Sequence, residues 1–122
     1  LTESYRRQAE ALRKYQDEGG MWHTLVDDAS SYVESSATCG FAYGILKGVH
    51  MGLLDASYAA CAERAIVPIL ANINEDGVVE QVSYGTPMGR ESKDFYKQIP
   101  IRPMPYGQAL AILFLLEMTG HR

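Results

Sequence analysis

The residues with the widest chemical range lie just ahead of one apolar stretch: Trp22 and His23 stand before it, and Ser36 and Thr38 open it. A Trp face offers a flat apolar surface to a sugar ring, and its N–H seeks an acceptor. Hydroxyls and free backbone N–H groups at the start of a helix suit a carboxylate. Plainer uses stay open, with Trp22 as a core anchor under the Gly19-Gly20 turn and Ser36 and Thr38 as helix caps. Asp27, Asp28 and Glu34 lie in the same region and resemble the carboxylate pair of a sugar-cleaving site. Adjacent residues in a loop point apart, so a solvated turn is the better reading of all three. Thr86, Arg90 and Lys93 fall on a proline-flanked stretch where a cation can meet an acidic ligand or simply face solvent.

No metal is expected, because His23, His50 and His121 share no ligand spacing with Cys39 or Cys61. No Ser/His/Asp or Cys/His constellation stands out, and GTPMG lacks the pattern of a phosphate-binding loop, so no cofactor is expected either. Both cysteines sit in apolar helical stretches and read as buried, reduced thiols. Lys+Arg 11 against Asp+Glu 15 gives a net charge of −4, with the positive charges scattered apart from Arg6, Arg7, Arg13 and Lys14. Neither a nucleic acid nor an anionic membrane fits that balance. The longest apolar run, Ala109 to Leu116, falls short of the roughly 20 residues that span a bilayer. No leader pattern opens the chain at Leu1, and a cytoplasmic location is expected.

The elements that must position these groups are mainly helices. At 122 residues and 47% hydrophobic composition the chain holds one domain at most. Thr2 is a candidate N-cap for a first helix with Tyr5, Ala9, Leu12 and Tyr15 on one face, ended by Gly19-Gly20. A second helix runs from Ser35 or Ser36 to about His50 and is apolar nearly all round, which demands cover on most sides. Gly40, Gly44 and Gly48 form a stripe on it, where another backbone is expected to approach. Asp55 caps a third helix beginning near Ala56, which Pro68 should kink or stop. Glu75-Asp76-Gly77 marks a turn before a β-branched run, so one short hairpin is expected. Residues 85–105 read as a long irregular loop, and a last all-apolar helix spans Gly107 to about Thr119.

Amphipathic and all-apolar helices therefore alternate, the signature of a two-layer helical toroid with wet outer and enclosed inner helices. The run MWHTLVDDASSYVESSATCGFAYGILKGVHMGLLD and the later YGTPMGRESKDFYKQIPIRPMPYGQALAILFLLEM, in this order and spacing, resemble the unsaturated glycuronyl hydrolases of glycoside hydrolase families 105 and 88. The resemblance covers nearly all of the chain but only the last third or so of a family member. It implies an all-α fold, the C-terminal part of an (α/α)6 barrel, with residues 1–122 forming one segment of a single barrel domain. It also implies action on oligosaccharides ending in a 4,5-unsaturated uronic acid, the products of polysaccharide lyases. In the family an aspartate protonates the vinyl ether and activates water, unlike the two-carboxylate scheme at the anomeric carbon. That aspartate belongs to the earlier half of the barrel, so no catalytic residue is assigned here and the isolated chain is expected to be inactive.

By the resemblance, the pocket lies where inner-helix N-termini meet the connections feeding them. This places Trp22, His23, Ser36, Thr38, Thr86 and Arg90 as candidate substrate-binding residues. Two other readings compete: a non-catalytic helical module that self-associates, and another α/α-toroid carbohydrate enzyme such as an epimerase or a lyase. Uncovered helix surface bears on partners. An apolar face of roughly 400 Å² left bare forgoes about 10 kcal/mol, so self-association or the missing N-terminal part of the barrel is expected to cover it.

Overall fold

The computed structural model describes residues 1–120; His121, weighed above for metal spacing, lies outside them. Its helices are α1 (Thr2–Tyr15), α2 (Ser35–His50), α3 (Ala59–Glu63), α4 (Ile66–Ala71) and α5 (Pro105–Met118), with 3-10 turns at Ala56–Tyr58 and Lys93–Gln98. None of the described helices is long and apolar enough to cross a membrane.

Helix α1 is amphipathic and buries only Ala9 and Leu12 fully. Leu1, not Thr2, is its N-cap residue, and the chain leaves the helix in an extended conformation at Gln16. The glycine pair thus serves a turn beyond the helix rather than its end. Gly20 has φ +99°, and a Cβ there would lie 2.1 Å from the Arg64 carbonyl oxygen, so only glycine fits.

The same contact explains the break in the third expected helix, which forms as a 3-10 turn followed by α3 and α4. Asp55 caps the start, its carboxylate accepting from the Ser57 N–H at 2.9 Å. Pro68 has no N–H, and its ring would strike the carbonyl of Arg64 were the helix continuous. The helix restarts at Ile66, which puts Pro68 in the first turn, where no intrahelical N–H is needed.

Helix α2 buries Cys39, Ala42, Ile45 and Leu46. Along its glycine stripe the close approach comes from a side chain rather than from a second backbone. Tyr5 Oη donates to the Gly44 carbonyl at 2.8 Å, and a Cβ on Gly48 would lie 1.7 Å from that hydroxyl. Trp22 is wholly buried, its ring edge-on to Phe41 at 5.7 Å and its Nε1–H donating to the Leu12 carbonyl at 2.8 Å. One indole thereby ties α1, α2 and the connection between them.

Helices α2 and α5 lie side by side and run the same way, because Leu110 faces Gly40 near their starts while Glu117 meets Lys47 and His50 near their ends. Pro105 opens α5 in the position where its missing N–H costs nothing. Gly107 lets Val82 seat on the first turn, since a Cβ there would come within 2.7 Å of it. The enclosure expected for both inner helices holds for α2 only. On α5, Ala109, Ile112, Leu113 and Leu116 form an apolar stripe, with Ile112, Leu113 and Leu116 exposed at 52%, 42% and 48%.

The expected hairpin is not formed. The 74–77 turn closes, with Gly77 at φ +79°, but pairing stops at a single antiparallel bridge between Ile73 and Val79. Gln81, at φ +60°, turns the chain out of an extended path, and Val79 and Val82 go into the core. A second bridge, Ser83 to Ile101, closes the base of the long loop, with Tyr84 N–H on the Pro100 carbonyl and Arg102 N–H on that of Val82, both at 2.8 Å.

Glu117 is one of two buried glutamates among the described residues. Its carboxylate accepts from His50 Nδ1 at 3.0 Å and pairs with Lys47 Nζ at 3.3 Å. Burial pushes its pKa up, but the bonds and charges of His50 and Lys47 outweigh that and leave it lowered from the ordinary glutamate value. A lowered carboxylate stabilises the fold above the unfolded-state pKa and loses that contribution as pH falls through the folded one. We therefore expect stability to drop as pH falls below about 4.5, and Glu117→Gln to shrink that acid limb in denaturation curves measured at successive pH values. Gly48→Ala should cost about 1–3 kcal/mol by overpacking against Tyr5. A double-mutant cycle with Tyr5→Ala should show strong coupling between the two positions.

Candidate functional site

Glu34 is the N-cap of α2, and although charged it is only 3% exposed. Its Oε2 accepts from the Ala37 N–H at 2.5 Å, and both oxygens accept from the Ser36 hydroxyl, at 2.7 and 2.9 Å. Oε1 also accepts from the Ser83 N–H at 2.9 Å. A carboxylate at a helix N-terminus gains from the free N–H groups and the helix dipole. The solvated-turn reading of Glu34 is thus overturned. Asp27 is exposed as expected, while Asp28 is partly covered and pairs with Lys97 at 3.2 Å and Lys93 at 3.7 Å. Hydrogen bonds from Ser30, then Lys97, hold the Asp28 carboxyl well below the usual range.

The segment after Val79 is stitched across the start of α2. Ser35 N–H donates to the Gln81 carbonyl at 2.8 Å, and the Gln81 amide donates back to the Val33 carbonyl at 3.0 Å. From α5, Gln108 accepts from Val79 N–H and donates to the Gly77 carbonyl, so three elements converge. Tyr106 adds a clamp by donating to the Ser83 carbonyl and accepting from Gly85 N–H at 2.8 Å. Tyr32 and Ser83 hydroxyls bond at 2.7 Å. The result is an open depression of about 370 Å³ lined by Thr24, Glu34, Ser36, Ser83, Thr86 and Tyr106, among others.

Of the six candidates from the sequence, the structure brings Ser36 and Thr86 together here. Thr38 is fully buried, its Oγ1 accepting from Trp22 N–H at 2.9 Å, and Trp22 is spent on the core. His23 is buried beside the depression's wall, its ring bonded to the Ser31 carbonyl at 2.6 Å and to Asp17 at 3.0 Å. Asp17 is lowered by the Gly19 N–H first and by His23 next. Arg90 is exposed and lines a separate surface hollow with Met88 and Phe95. Glu34, Ser83 and Tyr106 were missed because Glu is no usual N-cap and the other two meet it only through the fold. Both cysteines are free and buried, and burial pushes the Cys39 thiol up to about 12. Among the described residues, no three His, Cys, Asp or Glu side chains converge as metal ligands.

The arrangement offers acceptors and hydroxyls but no spare N–H cluster. The N-terminus of α2 already holds a carboxylate, so a second one would meet like charge there. That removes the expected anchor for a uronate on Ser36 and Thr38. A dry carboxylate ringed by hydroxyls suits the O–H donors of a sugar instead.

The family model for Glycosyl Hydrolase Family 88 matches residues 1–121. The chain belongs to that family. The unsaturated rhamnogalacturonyl hydrolase YesR of Bacillus subtilis is 36% identical over 116 residues, covering 94% of this chain and 32% of the relative. A Salmonella enterica serovar Paratyphi A protein described as a possible GH105 member superimposes with TM-score 0.92 at 50% identity, over 96% of this chain and 31% of its own. A similarly described Klebsiella pneumoniae protein gives TM-score 0.87 at 54% identity, over 91% and 29%. The chain thus spans about a third of the length of these relatives. Its fold is that of part of an (α/α)6 barrel.

Removing the shared acceptor should loosen this glycosyl hydrolase segment. Glu34→Ala leaves the Ala37 and Ser83 N–H groups unpartnered, and each buried orphan costs about 1–3 kcal/mol. Denaturant unfolding should show a loss in that range or above for Glu34→Ala, and a smaller one for Glu34→Gln, which keeps an acceptor oxygen.

Proposed function

We propose that this chain forms the C-terminal segment of a glycoside hydrolase acting on unsaturated galacturonyl or glucuronyl oligosaccharides left by polysaccharide lyases, and that it lines part of the substrate pocket. The observation that carries the reading is the hydroxyl-lined depression over Glu34, at an inner-helix N-terminus of a family 88 chain. The relative YesR bears the name of an unsaturated rhamnogalacturonyl hydrolase, which supports this substrate class.

In this reading the chain binds and orients rather than performs the proton transfer. Ser36, Thr86 and Tyr106 present hydroxyls to the sugar, and Glu34 keeps the walls in register. The acid/base aspartate comes from the earlier half of the barrel. It delivers a proton to the vinyl ether and activates the water that adds to the double bond, after which the hydrated sugar opens and leaves. The bare α5 stripe is covered by further helices of the same barrel.

Loss of the double bond's near-ultraviolet absorbance follows the reaction. The complete enzyme carrying this chain should consume unsaturated galacturonyl or glucuronyl disaccharide, while the 122-residue chain alone should not. Turnover by the chain alone, proportional to its concentration, would place the proton donor among its own carboxylates and refute the division of labour.

A further inference from the structure

Next to the depression lies a second concavity that the reading above does not use. It has a volume of about 440 Å³ and is lined by Tyr84, Pro87, Phe95, Gln98, Ile99 and Pro100. Tyr84 sits between Ser83 and Gly85, both of which line the depression, so the two hollows share one backbone segment. Tyr84 and Phe95 are exposed at 50% and 42%, an arrangement that leaves aromatic carbon open to solvent. Gln98 supplies an amide with both donors and an acceptor.

The groove is built rather than loose. Gly89 lies flat on Phe95, since a Cβ there would come within 2.7 Å of the ring, and its N–H donates to Tyr96 Oη at 3.1 Å. Tyr84 N–H is held by the Pro100 carbonyl at 2.8 Å. Lys97 ties the 3-10 turn of the loop to Ser30 at 2.8 Å and to Asp28 at 3.2 Å, which docks the groove on the connection before α2.

Charge gives the occupant. Residues 84–104 carry Arg90, Lys93, Lys97 and Arg102 against Glu91 and Asp94, four positive against two negative, in a chain whose net charge is −4. Lys93 and Lys97 are paired, but Arg90 and Arg102 have no ion-pair partner among the described residues. The Arg102 guanidinium stands over the Tyr84 ring, 4.8 Å from its centroid, so a cation without an ion-pair partner among the described residues flanks the aromatic wall. Aromatic faces suit the C–H faces of sugar rings, and an unpaired guanidinium suits a carboxylate. Purely apolar ligands would leave the cations unused, and a nucleic acid would meet the negative remainder of the chain.

We propose that the Tyr84–Phe95–Gln98 groove, with Arg102 at its edge, binds the acidic sugar residues of a substrate chain that extends beyond those held in the depression. It rests on the hydrolase reading and makes the enzyme prefer longer acidic oligosaccharides.

The test uses the complete enzyme with unsaturated galacturonyl disaccharide and tetrasaccharide. Wild-type kcat/KM should favour the tetrasaccharide about tenfold, a difference of about 1.4 kcal/mol. Tyr84→Ala and Arg102→Gln should each collapse that ratio towards one while leaving the disaccharide constants within about twofold, and Tyr84→Phe should preserve it. Unchanged melting temperatures would show that the variants fold, and both altered side chains are exposed. A wild-type ratio near one, a ratio that survives Tyr84→Ala and Arg102→Gln, or an equal loss on both substrates overturns the groove alone. Absence of turnover on the disaccharide defeats the hydrolase reading, and the groove with it.

Discussion

One buried carboxylate organises the start of α2 and the segment that crosses it. Glu34 gathers the Ala37 N–H in the first turn of α2, the Ser36 hydroxyl and the backbone N–H of Ser83, which comes from a segment 49 residues later. Each of these donors would otherwise be a buried polar group in want of a partner, and such groups cost about 1–3 kcal/mol each. The carboxylate tolerates burial because it accepts from three donors, one of them the Ser36 hydroxyl shared between both oxygens, and sits at the positive end of a helix. It thereby fixes where the 79–85 segment crosses α2, and with it the positions of Ser83, Tyr106 and the loop beyond.

Close packing between the parallel α2 and α5 carries the arrangement to the far end of the molecule. At the start the pair meets through Leu110 over Gly40, with Val82 seated on Gly107. At the end Glu117 is enclosed by Lys47 and His50. A buried ion pair adds little to stability against an apolar alternative, yet removing one member leaves a charge stranded. Its effect here is to set register, because Glu117 finds both partners only when the helix ends lie level. The two carboxylates, Glu34 and Glu117, bracket α2 at its opposite ends.

Much of this was legible from residue pattern. The bounds of α2, the Asp55 cap, the 74–77 turn and the alternation of wet and apolar helices follow from local chemistry, and the two long motifs pointed to the family. What failed did so for non-local reasons. Trp22 and Thr38 have the right chemistry for a sugar site, but the indole N–H donates to the Leu12 carbonyl and Thr38 Oγ1 accepts from the Trp22 backbone N–H inside the fold. Glu34 was grouped with Asp27 and Asp28 by sequence nearness, whereas burial depends on Ser83 and Val82 arriving from elsewhere. The hairpin failed because the hydrogen-bonding capacity of Gln81 and Ser83 was taken by α2 instead of by a sister strand. The backbone approach expected along the glycine stripe is not found: only Gly48 is crowded, by the Tyr5 phenol, while Gly44 is open and Gly40 meets Leu110 at an ordinary distance.

The α5 stripe decides what covers this segment. The sequence pattern suggested a bare face worth about 10 kcal/mol, but Ile112, Leu113 and Leu116 are each already about half covered. Completing their burial gains about 1 kcal/mol for each side chain, so about 3 kcal/mol in all. Two copies meeting through this face would gain about twice that, against an association cost of at least about 4 kcal/mol before side chains are ordered. Covering the stripe with helices of the same polypeptide gains the same contacts and incurs no such loss of translational freedom. The relatives are about three times as long as this chain, which leaves room for such helices. Cover within one barrel is therefore favoured over a second copy. In the proposed hydrolase the recognition groups would then divide by chemistry, with acceptors and hydroxyls in the depression at the start of α2 and cations on the loop that follows Tyr84.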